Sequence, residues 1–217
     1  MNIPEDSNCV KLTFIGDSGV GKTCIISRYI TDSFDPDCRS TDGISYTQKL
    51  VTIKKRTVKL DIWDTAGQEK YRALGKHFYQ NSFIVCLVYD ITRLETFQNI
   101  KNIWYEDLKT YGEKYIVLAV VGNKCDCYEE ENVPEKEARQ FAKEIGAIFQ
   151  LTSAKNNIGI KNLFHSVVKS YLDPEFEMKM EEMKSKNNSF ISYKLKTGKQ
   201  RKGKKDKNIK NEKANCC

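Results

Sequence analysis

The chain has 217 residues, 40% of them hydrophobic, enough for one domain with a full core plus an extension. It contains no run of about 18 apolar residues, which excludes a membrane-spanning helix, and its polar N-terminus lacks the apolar core of a secretory signal. The net charge of +7 sits at one end: ten Lys/Arg against two acidic residues between Ile191 and Asn215 make that segment +8 and leave all other residues together at −1.

Residues 1–8 read as a flexible N-terminus before a domain over residues 9–173. The first strand is the apolar run Val10–Ile15. It is followed by Gly16-Asp17-Ser18-Gly19-Val20-Gly21-Lys22-Thr23, which fits G-x-x-x-x-G-K-[ST], the phosphate-binding P-loop, and then by a helical pattern over Lys22–Thr31. Glycines let backbone N–H groups approach phosphate oxygens, and the helix N-terminus adds positive potential at the same place. Asp17, Ser18, Gly19, Val20, Gly21, Lys22, Thr23 and Cys24 therefore form the expected cradle, with Lys22 reaching the β- and γ-phosphates and the Thr23 hydroxyl placed for Mg²⁺. Tyr46–Ile53 and Val58–Trp63 are apolar strand-like runs joined at Lys54-Lys55-Arg56, a hairpin tip that makes one strand pair antiparallel.

Trp63-Asp64-Thr65-Ala66-Gly67-Gln68-Glu69 closes the third strand. Alone the string reads as a turn. Behind a P-loop it places Asp64 to hold Mg²⁺ through water, Gly67 to offer a backbone N–H to the γ-phosphate, and Gln68 to orient a water for in-line attack. Further strands are expected at Phe83–Tyr89, Ile116–Val121 and Ile148–Leu151, and further helices at Arg72–Tyr79, Leu94–Tyr111, Pro134–Ile145 and Ile158–Leu172. Phe83–Tyr89 and Ile116–Val121 are continuously apolar, as strands covered on both faces must be, and alternation of strands with helices implies a mostly parallel sheet with ligands at the carboxyl strand ends. Asn123-Lys124-Cys125-Asp126 falls at such an end. Asp126 can accept from the N1–H and 2-amino group of guanine, which adenine lacks. The Asn123 amide can touch the base and brace the P-loop, and the Lys124 stem can lie over the ring. Ser153-Ala154-Lys155 follows the sixth strand, where backbone N–H groups can meet the guanine O6.

Gly16–Thr23, Thr41, Asp64–Glu69, Asn123–Asp126 and Ser153–Lys155 together resemble the Ras-superfamily small GTPases, and Lys59–Glu69 and Leu87–Thr92 resemble Rabs within them. The resemblance covers about residues 9–173. It implies an α/β P-loop GTPase fold, with a six-stranded, mostly parallel sheet, one antiparallel strand and five flanking helices. It further implies Phe34 stacking on the guanine, Thr41 binding Mg²⁺ when GTP is present, catalysis by Gln68 and Lys22, and an effector surface of Gly43, Ile44, Tyr46, Trp63 and Phe78. Tyr46, Trp63 and Phe78 serve equally as packing residues. The first switch departs from the usual Rab pattern, reading Asp42-Gly43-Ile44-Ser45-Tyr46, which alters the partner surface more than the nucleotide site. Leu151 stands where an acidic residue is common. Such a protein cycles between GTP and GDP states as a monomer and regulates membrane traffic. Its implied partners are an exchange factor, an activating protein, effectors at the switches, and prenyl-delivery and GDP-dissociation-inhibitor proteins. Arg39 and Arg72 lie near the switches, yet neither is clearly placed to act in cis, so an arginine from a partner is expected.

Residues 174–217 read as a flexible Lys-rich tail. Its Cys216-Cys217 end is not a C-a-a-X signal but resembles the doubly geranylgeranylated Rab terminus, and the basic tail favours anionic lipid. The expected location is the cytoplasmic face of an intracellular membrane, in exchange with cytosol. Two other readings compete: a module that holds GTP without hydrolysing it, Asp42 disturbing the first switch, and a nucleic-acid binder using the tail, which lacks interleaved aromatics. Under the lipid reading, replacing Cys216 and Cys217 by serine leaves ten basic residues, each worth at most about 1 kcal/mol at an anionic surface. That variant is expected in the soluble fraction with nucleotide binding intact; its retention on membranes through a high-salt wash refutes the anchor.

Overall fold

The computed structural model describes residues 9–38, 41, 43–65 and 80–182. The chain divides into two compact units, Met1–Asp173 and Pro174–Cys217. Six strands make up one sheet in the first unit: β1 (Cys9–Ile15), β2 (Ile44–Ile53), β3 (Arg56–Thr65), β4 (Ile84–Asp90), β5 (Val117–Asn123) and β6 (Ile148–Thr152), in the order β2-β3-β1-β4-β5-β6. Only the β2–β3 pair is antiparallel. Every predicted strand is present within two residues of its expected ends, because apolar runs bounded by turn residues leave little freedom in placing a strand.

Four of the five expected helices lie within the described residues. They are α1 (Lys22–Thr31), α2 (Leu94–Asn99, Ile100–Trp104 and Tyr105–Tyr111 in unbroken succession), α3 (Glu135–Glu144) and α4 (Ile160–Tyr171). The fifth, Arg72–Tyr79, lies outside them, as do residues 1–8 and the tail from residue 183 onward. Three details depart from the sequence expectation. Pro134 stands at the N-cap of α3 rather than inside it, its carbonyl accepting from Glu137 and Ala138. Ile158 pairs with Ser153 as an isolated bridge, and α4 begins two residues later, after Gly159 in the left-handed region at φ 70°. The middle of α2, Ile100–Trp104, is a π-helical turn. In the second unit, residues 174–182 are helical, with Lys179 paired to Glu175 at 2.7 Å.

Helices cover both faces of the sheet, so β4 is buried at all seven positions, its terminal aspartate included. On one face Phe97, Ile100, Trp104 and Leu108 of α2 and Ala138, Phe141 and Ala142 of α3 pack with Val85, Leu87, Tyr89 and Val120. On the other, Tyr29 of α1 stacks on Phe164 of α4 with ring centroids 3.6 Å apart, and Phe164 meets Phe14 of β1 at 5.7 Å. None of the six cysteines among the described residues is in a disulfide; Cys86 is a core thiol, whereas Cys24 is half-buried and faces a cleft. Parallel register has a consequence for chemistry. Asp90 pairs with Asn123, and Asn123 with Thr152, so these three residues form one row across the carboxyl ends of β4, β5 and β6.

The β2–β3 hairpin turns on Lys54 and Lys55, at φ 47° and 69°. Two left-handed residues are what a two-residue hairpin turn requires, but lysine carries a Cβ penalty there that asparagine and glycine largely avoid. Lys54→Asn with Lys55→Gly is expected to stabilise the fold by about 1 kcal/mol and raise the melting temperature by roughly 2–4 °C in a thermal denaturation scan.

Candidate functional site

A cleft of about 380 Å³ opens at the carboxyl ends of β1, β3, β5 and β6. This is where strand order runs outward in both directions from β1, the usual crevice of a doubly wound sheet. The P-loop lines one wall through Ser18, Gly19, Gly21, Lys22, Thr23 and Cys24. Phe34 and Thr41 border it, and Asn123, Lys124, Asp126, Ala154 and Lys155 complete it. Asp35, Pro36, Cys38, Thr65 and Cys127 line it too and were given no role by sequence reading; Thr65 lies within the Asp64–Glu69 string, and no motif marks the other four.

The loop itself leaves no space for side chains at two glycines. A Cβ on Gly16 would lie 2.1 Å from the Val88 carbonyl oxygen, and one on Gly21, at φ 93°, would lie 2.2 Å from Asn123 Nδ2. That second proximity reflects a brace: Asn123, 2% exposed, donates from Nδ2 to the Val20 carbonyl at 2.8 Å and accepts from Thr152 Oγ1 at 3.1 Å. Lys22 is 5% exposed and donates to the carbonyls of Gly16 and Asp17, both at 2.8 Å. Burial lowers its ammonium to about 8 against the opposing pull of Asp64 and Asp17.

Three oxygens meet beside Lys22. Thr23 Oγ1 donates to Asp64 Oδ2 at 2.6 Å and stands 2.6 Å from Thr41 Oγ1, which lies 3.4 Å from the same carboxylate oxygen. Asp64 is 2% exposed, and its other oxygen, Oδ1, is buried without a hydrogen-bond partner among the described residues. Burial raises its carboxyl, opposed by Thr23 and Lys22. A buried ammonium and a buried carboxylate are thus each short of counter-charge.

At the far end of the cleft, Asp126 accepts from Ser153 Oγ at 2.6 Å, and Cys127 Sγ stands 3.7 Å from its other oxygen. Ser153 thus orients Asp126 rather than lining the cleft. Lys124 adopts the left-handed conformation at φ 66° and pairs with Asp90 at 2.6 Å. Burial alone would raise the Asp90 carboxyl, but hydrogen bonds from Lys124 and Thr92 outweigh it and hold the group below the ordinary carboxylate range. The clamp fixes the ammonium and leaves the Lys124 stem on the cleft wall. Arg28 of α1 donates to the carbonyls of Ala154 at 2.8 Å and Lys155 at 3.1 Å, fixing the third loop. Neither Asp90 nor Arg28 was singled out from the sequence, because an isolated charged residue in an element carries no spacing signal.

Some expected site residues lie elsewhere. The Asp17 and Val20 side chains do not line the cleft: Val20 is fully buried, and Asp17 is held by α2. Gly43, Ile44, Tyr46 and Trp63 lie apart from the cleft, at β2 and β3. Tyr46 and Trp63 face one another in register with rings 5.5 Å apart, and Ile44 and Tyr46 are 42% and 50% exposed. Gly67, Gln68, Phe78, Cys216 and Cys217 lie outside the described residues.

The Ras family model matches residues 11–173. Ras-related protein Rab-22A of Homo sapiens is 46% identical over 155 residues, 71% of this chain and 79% of that protein. Ras-related protein Rab-31 of Homo sapiens is 41% identical over 167 residues, 76% of this chain and 85% of that protein. Ras-related protein RABA4b of Arabidopsis thaliana is 38% identical over 158 residues, 73% and 70% of the two chains. A P-loop sequence, an oxygen cluster and a carboxylate at the far end share one strand-end crevice, and the family model and these likenesses place the chain in the Ras family as a Rab-type small GTPase.

Proposed function

We propose that this GTPase, which hydrolyses GTP and serves membrane traffic, reads out its nucleotide state through Thr41 and the residues that follow Asp64. The observation that carries the reading is the oxygen cluster next to Lys22. Two hydroxyls and a carboxylate with an orphaned buried oxygen suit Mg²⁺, a hard cation that takes one or two carboxylates and completes its shell with phosphate and water. Thr23, Thr41 and Asp64 are the residues that would hold it. When bound, the ion neutralises charge developing on the phosphate oxygens. Lys22 leaves the Gly16 and Asp17 carbonyls for the β- and γ-phosphates, and the backbone N–H groups of Ser18 to Cys24 cradle them. Gln68 orients the attacking water, and Gly67 donates its N–H to the γ-phosphate. Thr41 is tied to the γ-phosphate end only while that phosphate is present, so hydrolysis frees the first switch.

Guanine selectivity is assigned to Asp126, held by Ser153, with Phe34 against the base and the Asn123 amide, the Lys124 stem and the Ala154–Lys155 backbone around it. Gly43, Ile44, Tyr46, Trp63 and Phe78 form the effector surface. Hydrolysis is slow alone and accelerated by a partner's arginine; an exchange factor, prenyl-delivery protein and dissociation inhibitor complete the cycle. Among the described residues no helix is long and apolar enough to cross a membrane. Lipid attachment is assigned to Cys216 and Cys217.

Asp126→Asn replaces an acceptor by a group that can donate, so base preference is expected to move from guanine toward xanthine; unchanged GDP binding in competition with XDP removes Asp126 from the base pocket. Gln68→Leu is expected to keep GTP binding while slowing phosphate release in single turnover by at least about tenfold. Equal rates for variant and parent, with and without an activating protein, discard the Gln68 role.

A further inference from the structure

An aspartate in a loop that receives phosphates is electrostatically misplaced, since like charges repel. The structure turns the Asp17 carboxylate away from the cleft. Its Oδ2 accepts from Asn99 Nδ2 and its Oδ1 from Trp104 Nε1, both at 2.7 Å. Both donors belong to α2, and both are brought to one side by the π-helical turn. Residues five apart in a regular α-helix point about 140° away from each other. Across Ile100–Trp104 the backbone closes a wider turn, with the Tyr105 N–H donating to the Ile100 carbonyl, and residues five apart approach the same face. The next P-loop residue is gripped from the start of the same helix: Arg93, the N-cap of α2, donates from Nη2 to the Ser18 carbonyl at 3.0 Å and from Nε to Asp90 Oδ2 at 3.3 Å. Asp90 in turn carries Lys124 of the base loop.

We propose that α2 latches the P-loop: Asp17 is a positioning residue whose carboxylate, held by Asn99 and Trp104 across the π-helical turn, keeps the loop in its phosphate-receiving shape and thereby sets the rate of guanine nucleotide release. The inference rests on the P-loop being the phosphate cradle. Its physical basis is that two consecutive loop residues are gripped from α2, Asp17 through its carboxylate and Ser18 through its carbonyl. Side-chain anchoring of Asp17 therefore restrains the backbone segment that leads into the N–H groups of Ser18 to Cys24. A carboxylate receiving two N–H donors makes charge-assisted hydrogen bonds, about twice as strong as neutral ones. Removing the latch leaves the loop free to open while the base pocket stays intact.

The test is release of fluorescently labelled GDP from the full chain, chased with excess unlabelled GDP. Asp17→Ala and Trp104→Phe are each expected to speed release about tenfold, the usual weight of a hydrogen bond to a charged group. The double variant is expected to match Asp17→Ala, which already removes the Trp104 contact. Asp17→Asn is expected to stay near the parent, since an amide oxygen still accepts from the indole N–H. Asn99→Ala, at a half-buried position, removes one donor without touching the core and supplies a second variant should Trp104→Phe fail to fold. Release from the Asn99 and Trp104 variants at the parent rate, additive effects in the double variant, or failure of Asp17→Asn to rescue each overturn the latch. A parent protein that retains no guanine nucleotide overturns the nucleotide reading itself; a parent that retains it while Trp104→Phe is unchanged overturns only the latch.

Discussion

Everything at the cleft depends on one side-chain amide. Asn123 sits at the end of β5 and connects the Val20 carbonyl of the P-loop to Thr152 at the end of β6. With donor and acceptor ends both satisfied in a buried place, the amide can adopt only one orientation, and the P-loop and the carboxyl end of β6 are held at one spacing. The brace works because Gly21 has no side chain: a methyl group there would occupy the position of Asn123 Nδ2. Two residues about a hundred positions apart thus constrain each other.

The electrostatics follow from the same burial. Lys22 and Asp64 are both nearly inaccessible, and desolvation pushes each toward its neutral form. Their mutual attraction offsets this only partly. The remaining demand for charge is directional, Lys22 toward an anion and the orphaned Asp64 oxygen toward a cation or a proton donor. A nucleotide phosphate together with a divalent cation meets both demands at once. The Lys22 ammonium donates to its own loop carbonyls, which satisfies the donor without neutralising the charge.

The α2 helix belongs to the same argument. Its apolar side packs under β4 and β5, while Arg93, Asn99 and Trp104 reach the P-loop. Trp104 does both, its ring 5% exposed and its N–H on Asp17. A residue that is part of the core and also holds the phosphate loop connects the packing of the domain to the site, so changes in how α2 sits are felt at Asp17 and Ser18.

The chain alone makes legible the strands, the hairpin, the P-loop and the Asn123–Asp126 and Ser153–Lys155 strings at strand ends. Apolar runs and spaced glycines are local signals, and a strand covered on both faces must be apolar throughout. It also marked Asn123 as a brace and set Thr23 and Asp64 at one place, where they are hydrogen-bonded, because motif order constrains which loops share a strand end. Which way Asp17 faces is set by packing, since it depends on a π-helical turn in α2 that the pattern Leu94–Tyr111 shows as plain helix. Only the structure decided that Asp90 clamps Lys124, because parallel register sets Asp90 beside Asn123 across two strands. The Arg28 contacts to Ala154 and Lys155 join residues more than a hundred positions apart. Interactions of that range arise from how elements pack, and no local spacing along the chain encodes them.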